Sequence, residues 1–168
     1  MISIIKANKK HIKGIAKVCT DGYWSTYRYS HSKEYIERIV EEFYNEQRIK
    51  QEVTTSNRGW GGYFVAVEDR VVLGAGGGGM ISEKTGEVYV MYLNPSRRNE
   101  GIGTKLLAAI TNQQKEWGAE EQWVSVTKGN QKGIPFYEAR GFQYSDEKES
   151  YSNTSEENYL SLRYYRPI

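Results

Sequence analysis

The sequence predicts a mixed α/β fold on one mostly antiparallel sheet of six to seven strands, flanked by about four helices. Three observations carry this. Strand-like and helix-like segments alternate in the order β-α-α-β-β-β-α-β-α-β-β. Most neighbouring strand segments are separated only by short turns, which favours antiparallel pairing. The segment from Glu87 to Val126, however, is strand, full helix, strand, and such a crossover requires a parallel pair in the middle of the sheet. At 168 residues the chain suits one domain spanning 1–168, long enough to bury a substantial core.

Residues 1–6 alternate apolar and polar and read as a strand. A helix follows over 9–19, with Ile12, Ile15, Ala16 and Cys19 on one face. The polar and aromatic stretch 21–32 reads as a loop. Ser32 can cap a second helix whose stripe is Ile36, Ile39, Val40 and Phe43. After a break at 59–62, residues 63–67 and 71–82 form a hairpin around Glu68, Asp69 and Arg70. A turn at 84–86 leads into the strand 87–93. The helix over 101–117 turns Ile102, Leu106, Ile110 and Trp117 inward and closes at Gly118. Residues 122–126 are a strand and 133–140 a short helix ended by Gly141, with Pro135 tolerated in its first turn. The final strands, 142–144 and 158–165, are joined by a polar stretch, 145–157.

Composition excludes several classes. Hydrophobic residues at 38% and charged residues at 26% favour a folded domain over disorder. With 23 basic and 21 acidic side chains, nothing electrostatic points to a nucleic-acid or membrane partner. The single cysteine, Cys19, permits no internal disulfide and no cysteine metal site, and it fits a reducing compartment. No segment near the amino terminus resembles a signal-peptide core, and none elsewhere could span a bilayer. A cytoplasmic location is therefore expected. His11 and His31 are too few and too isolated to argue for a metal.

Two glycine-rich segments compete as anion sites. Gly74–Gly79 fits G-x-G-x-x-G literally, but no helix follows and no acidic residue stands where a dinucleotide ribose would need one. These glycines read better as a thin strand against which a substrate or another backbone packs closely. The second segment, Arg98-x-x-Gly101-x-Gly103-Thr104, stands between a strand and a helix. Helix-initial amides lack internal partners, and the helix dipole adds positive charge at the same end. The two glycines admit a bulky anion, and Arg98 adds a donor fork, so this turn suits a phosphate or pyrophosphate. Glu100 is the odd member, unfavourable beside such an anion unless turned away.

Three segments occur together: Glu87-Val88-Tyr89-Val90-Met91-Tyr92-Leu93-Asn94-Pro95, then Arg98-x-x-Gly101-x-Gly103, then Asn130-x-x-Gly133-x-Pro135-Phe136-Tyr137-x-x-x-Gly141-Phe142. This combination resembles the acetyl-CoA motifs of the GNAT N-acetyltransferase superfamily. The match is strong from Glu87 to Phe142 and only topological in the first 60 residues and at the carboxyl end. The resemblance implies a GNAT-type fold and an acyl-CoA-dependent N-acyltransferase, with acetyl-CoA as co-substrate and no metal. The acceptor would be a small-molecule or protein amine. The resemblance further implies that Arg98, Asn99, Gly101, Ile102, Gly103 and Thr104 hold the CoA pyrophosphate. Met91 and Leu93 would expose backbone groups to the pantetheine arm through a slot between splayed strands, and Asn130 would contact that arm or the adjacent phosphate region.

Transfer to an amine needs a base, oxyanion stabilisation and protonation of the leaving thiolate. Glu87 stands where some relatives carry a catalytic glutamate; it also reads simply as an exposed residue starting a strand. Tyr137 is the expected acid to the thiolate, Phe136 beside it being packing, and the amide near Met91 the expected oxyanion donor. Cys19 lies on an apolar helix face, so a covalent route lacks its nucleophile. Tyr23, Trp24 and Tyr27 are candidates for the acceptor wall, although 14 tyrosines make aromatic clustering weak evidence. Two other readings stay open: a non-catalytic acyl-CoA sensor on the same fold, and a nucleotide-binding protein using Gly74–Gly79. The C-terminal strand is a candidate homodimer interface.

Overall fold

A computed structural model describes all residues, 1–168. Seven strands form one sheet: β1 (Ser3–Lys6), β2 (Phe64–Glu68), β3 (Val71–Met80), β4 (Thr85–Leu93), β5 (Glu121–Thr127), β6 (Gln143–Glu149) and β7 (Leu160–Pro167). Five α-helices flank it: α1 (Ile12–Tyr27), α2 (Lys33–Phe43), α3 (Glu46–Thr54), α4 (Ile102–Glu116) and α5 (Gly133–Ala139), with a 3-10 turn at Lys9–His11. The strand order is β1-β2-β3-β4-β5-β7-β6, and only β4 and β5 run parallel. This is the mixed, mostly antiparallel architecture expected, with one helix more.

Local chemistry explains most elements. Asp69 and Arg70 both adopt positive φ, so a two-residue turn of the twist-matching kind joins β2 to β3. The Ser32 hydroxyl accepts from the Tyr35 amide and starts α2. Gly118 and Gly141 have positive φ just past α4 and α5. The apolar faces of α1 and α4 pack on the sheet, α1 with Ile15, Val18 and Cys19 and α4 with Ile102, Leu106, Leu107 and Ile110.

Four features differ from the sequence expectation. Residues 21–27 are helical: α1 runs on to Tyr27, because Tyr23 and Tyr27 bury together at helical spacing with ring centroids 4.5 Å apart. The helix α3 is additional; Asn45 caps it by accepting from Arg48 N, but only Ile49 is fully buried, too little apolar stripe to read. In α4 the buried side chains near the end are Thr111 and Gln114, while Trp117 lies beyond the helix and is only half-buried. The strand β6 extends to Glu149 with every residue exposed, so no hydrophobic alternation marked it. In addition, β7 pairs with β5 on one side and β6 on the other, so the C-terminal strand offers no free edge to a second copy.

The glycine run lies in β3, and another backbone is what packs on it. A Cβ at Gly79 would sit 2.2 Å from the Gly59 carbonyl oxygen, and one at Gly78 2.1 Å from that of Glu87. The segment crossing there is hydrogen-bonded to β3 through Gly61 N to Gly78 O at 2.8 Å. Gly79→Ala should therefore destabilise the fold by about 1–3 kcal/mol, as overpacking against rigid atoms does. Gly59→Ala, whose Cβ meets only Asn57 Oδ1 at 3.4 Å, should change stability far less. Chemical denaturation of both variants checks this.

Candidate active site

The site begins where a ladder ends. The β4/β5 pairing covers Thr85↔Glu121 to Val88↔Val124 and stops, yet β4 continues to Leu93 and β5 to Thr127. β5 stays paired with β7 throughout, so it is carried away from β4. On the other side of β4, the register with β3 shifts between Gly77 and Gly78, and Tyr89 has no partner across it. Such a bulge increases local twist and bends the strand. The Glu87 carbonyl at this point accepts from Gln114 Nε2 of α4 at 2.9 Å. Gln114 Oε1 accepts in turn from Gln122 of β5, whose amide oxygen accepts from Arg166 of β7. A buried polar chain thus ties α4 to the strands that diverge.

The opening is a slot. Its walls are Val88–Leu93 of β4 and Val124–Val126 of β5; Phe136 and Tyr137 of α5 and Gly22, Thr26 and Tyr27 of α1 complete it, and Arg98, Gly103 and Asn130 also line it. Met91 and Leu93 are half-buried along it.

The start of α4 closes one end. Gly101, with φ of 77°, precedes the helix, and no side chain caps it. The first internal helix bond is Lys105 N to Gly101 O, so the amides of Ile102, Gly103 and Thr104 donate to nothing in the protein. Asn99 also has positive φ, and a turn mixing left- and right-handed residues gathers amides into an anion-binding hollow. A Cβ at Gly101 would meet nothing within 4 Å. Gly103 has a different reason: its Cβ would lie 3.0 Å from Phe136 Cε1, so it is glycine for helix packing. The Ile102 side chain is 1% exposed in the core, leaving only its backbone to the hollow.

Charge is sorted in the same turn. Arg97 binds Glu100 at 2.7 Å and Glu68 at 3.0 Å, which holds the Glu100 carboxyl below the usual range and resolves its odd position. Arg98 has no acidic partner and lines the slot. Arg140, unremarked in the sequence, donates to Thr104 Oγ1 at 3.2 Å and lies 3.8 Å over the Phe136 ring. It brings a second guanidinium beside Thr104, and the Phe136 carbonyl of its own helix accepts from it at 2.8 Å. Asn130 Oδ1 accepts from Gly133 N at 2.8 Å, which starts α5 and leaves the side chain at the slot.

Tyr137 is 8% exposed, between Phe136 and Phe142 in edge-to-face contacts. Burial pushes its hydroxyl well above the ordinary tyrosine range, so it remains a proton donor. Glu87 binds Arg163 at 2.9 Å with both side chains largely buried, 16% and 13% exposed. Arg163 also donates to Ser125 Oγ and lies 5.0 Å over the Trp123 ring. Glu87 is thus neither exposed nor free. Burial also pushes the Cys19 thiol up, which leaves it inert.

A second cavity of about 490 Å³ lies beyond the slot and shares Val88, Tyr89, Val90 and Ser125 with it. That size falls within the roughly 300–1,000 Å³ of small-molecule sites. Glu87, Glu52, Tyr23, Tyr35, Tyr63 and Trp60 are among its lining residues. The three aromatic residues expected together are separated. Tyr23 lines this cavity and Tyr27 the slot, whereas Trp24 lines a different depression with Arg28 and Asn94. Helical geometry is the reason: each residue turns about 100°, so Trp24 leaves the face that Tyr23 and Tyr27 share.

The sequence profile of the acetyltransferase (GNAT) family matches residues 18–142. The chain belongs to this family. Among curated relatives, this GNAT protein is 27% identical over 146 residues to spermidine N(1)-acetyltransferase of Thermoplasma acidophilum, covering 86% of this chain and 90% of that one. It is 30% identical over 159 residues to the uncharacterized N-acetyltransferase YuaI of Bacillus subtilis, covering 91% of this chain and 84% of that one. Among solved structures, PaiA N-acetyltransferase of T. acidophilum in complex with coenzyme A superposes with a TM-score of 0.84 at 24% identity, over 100% of this chain and 99% of that one. At that identity the likeness speaks to the fold. No helix of this protein is long and apolar enough to cross a membrane.

Arg163→Met leaves the Glu87 carboxylate without its guanidinium and should cost about 3 kcal/mol, as breaking a buried pair from one side does. Glu87→Gln should cost less, because Arg163 keeps Ser125 and Trp123. Urea unfolding of the two variants gives the comparison.

Proposed function

We propose that this GNAT protein, acting as one domain over 1–168, transfers an acetyl group from acetyl-CoA to a primary amine by direct transfer in a ternary complex. The observation that carries the reading is the slot where β4 and β5 part, running into the uncapped start of α4. A phosphate-bearing arm and a thioester need such a combination: free amides and an unpaired arginine at one end, a narrow half-apolar channel behind them. The coenzyme A complex of the structurally similar T. acidophilum protein supports the same assignment.

In this reading the amides of Asn99 and Gly101–Thr104, with Arg98, hold the pyrophosphate. Backbone groups at Met91 and Leu93 and the Asn130 side chain hold the arm. Acetyl-CoA supplies an activated thioester carbonyl. The amine nitrogen bonds to that carbon and the carbon–sulfur bond breaks, while the amine loses one proton to a base and the thiolate gains one. The amide near Met91 faces the developing oxyanion. Tyr137, kept protonated by burial, gives the hydrogen bond or proton to sulfur. Glu87 lines the second cavity and takes the amine proton directly or through water, with one oxygen committed to Arg163. The acceptor enters through the second cavity, where Tyr23 forms part of the wall. The T. acidophilum spermidine acetyltransferase makes a small aliphatic amine the first acceptor to try.

Titration calorimetry with acetyl-CoA, with NAD as control, combined with thiol release in the presence of primary amines, tests the reading. Acetyl-CoA binding, no NAD binding and amine-dependent thiol release are expected. A folded protein that ignores acetyl-CoA would overturn it. Tyr137→Phe should lower kcat by about 10²-fold, within the range of a lost general acid, with acetyl-CoA affinity unchanged. Arg98→Ala should instead weaken acetyl-CoA binding and leave kcat at saturation nearly intact.

A further inference from the structure

The second cavity holds a carboxylate that its surroundings leave incomplete. Glu52, on α3, lines it, and its Oε1 is buried with no hydrogen-bond partner. Leaving such an oxygen unpaired is costly, and a rotation of the carboxyl group, whose side chain is 26% exposed, would present it to a donor entering the cavity. The other oxygen meets Arg48 only at 3.6 Å, and that guanidinium lies 4.4 Å over the Phe43 ring. Around Glu52 stand aromatic side chains, including Tyr63, Trp60 and Tyr151. Ring faces attract cations and bind their alkyl stems. Of the other cations lining the cavity, Lys148 is exposed on β6.

Two carboxylates therefore line one cavity from different elements, Glu87 from β4 at the splay and Glu52 from α3. Glu87 already has a guanidinium, whereas Glu52 has an oxygen without one. We propose that Glu52 selects acceptors with a second ammonium group, so that the acceptor class is an aliphatic diamine or longer polyamine. One amine stands at the splay beside Val88–Val90, and the other gives Glu52 Oε1 its missing donor within the aromatic walls. Burial raises the Glu52 carboxyl above its ordinary range, and an ammonium against it would favour the ionised form. The inference rests on the acetyl-transfer reading only in taking the second cavity as the acceptor's path. Glu52 acts as a specificity-determining residue and takes no part in the chemistry.

Titration of the protein–coenzyme A complex with 1,4-diaminobutane and with butylamine, equal in chain length, tests this without requiring turnover. The diamine should bind roughly tenfold more tightly, the scale of one charge-assisted hydrogen bond. Glu52→Gln should abolish that preference, leaving butylamine and acetyl-CoA affinities unchanged, and Glu52→Asp should retain part of it. Equal affinity of the wild type for both amines overturns the proposal, as does an equal loss of both in Glu52→Gln. The two readings fail separately. Acetylation of both amines with no effect of Glu52→Gln removes the Glu52 role and keeps acetyl transfer. Glu52-dependent diamine binding without acetylation keeps the Glu52 site and removes the transfer reading.

Discussion

The end of the β4/β5 ladder after Val88 and Val124 is the constraint on which the rest depends. A parallel pair in the middle of a sheet normally continues until one strand ends. Here both strands run on, and each is held by its outer neighbour: β4 by β3, β5 by β7. Separation leaves unmade backbone bonds, which buried surroundings would penalise. A slot open to a ligand or to water lifts that penalty. The fold thus keeps a row of unpaired peptide groups at its centre, and that row is the feature suited to an extended amide-bearing arm.

The divergence is held by polar contacts as well as packing. The Tyr89 bulge turns the Glu87 carbonyl toward α4, where Gln114 receives it, and Gln114, Gln122 and Arg166 continue the chain to β7. A buried network of this kind is stabilising only if its members are satisfied, and these are joined one to the next. The glycines of β3 belong to the same arrangement. Gly78 faces the Glu87 carbonyl at a distance no Cβ would tolerate, so the bulge and the glycine run are two sides of one contact. The start of α4 follows from it too, since β4 ends at Leu93 and the chain must turn before the helix.

The two cavities differ in character. The slot pairs an unpaired arginine and free amides with apolar walls. The second cavity is wider, aromatic and lined by two carboxylates. They meet at Val88–Val90 and Ser125, beside the bulge. Tyr23 and Tyr27 separate along the same line, one in each cavity, although a single helical turn divides them in sequence.

The sequence by itself determined the parts whose reasons are local. The positive-φ residues at Gly118 and Gly141, the Ser32 cap and the turn before α4 are written within a few residues of where they lie, and the crossover between β4 and β5 in the strand–helix–strand order of one segment. Tyr137 and Arg98, singled out by motifs of fixed spacing, both line the slot. Only the tertiary structure decided what depends on distant partners. It paired Glu87 with Arg163, 76 residues away, and brought Arg140 to Thr104 across 36. It made helix of residues 21–27 through buried aromatic contacts, placed the all-exposed β6 beside β7, and set the Phe136 ring against Gly103. It also left one oxygen of Glu52 buried and unpartnered. Periodicity and motif spacing record what a residue needs from its neighbours in the chain. Burial, charge pairing and close backbone approach are set by residues that meet only once the sheet has closed around them.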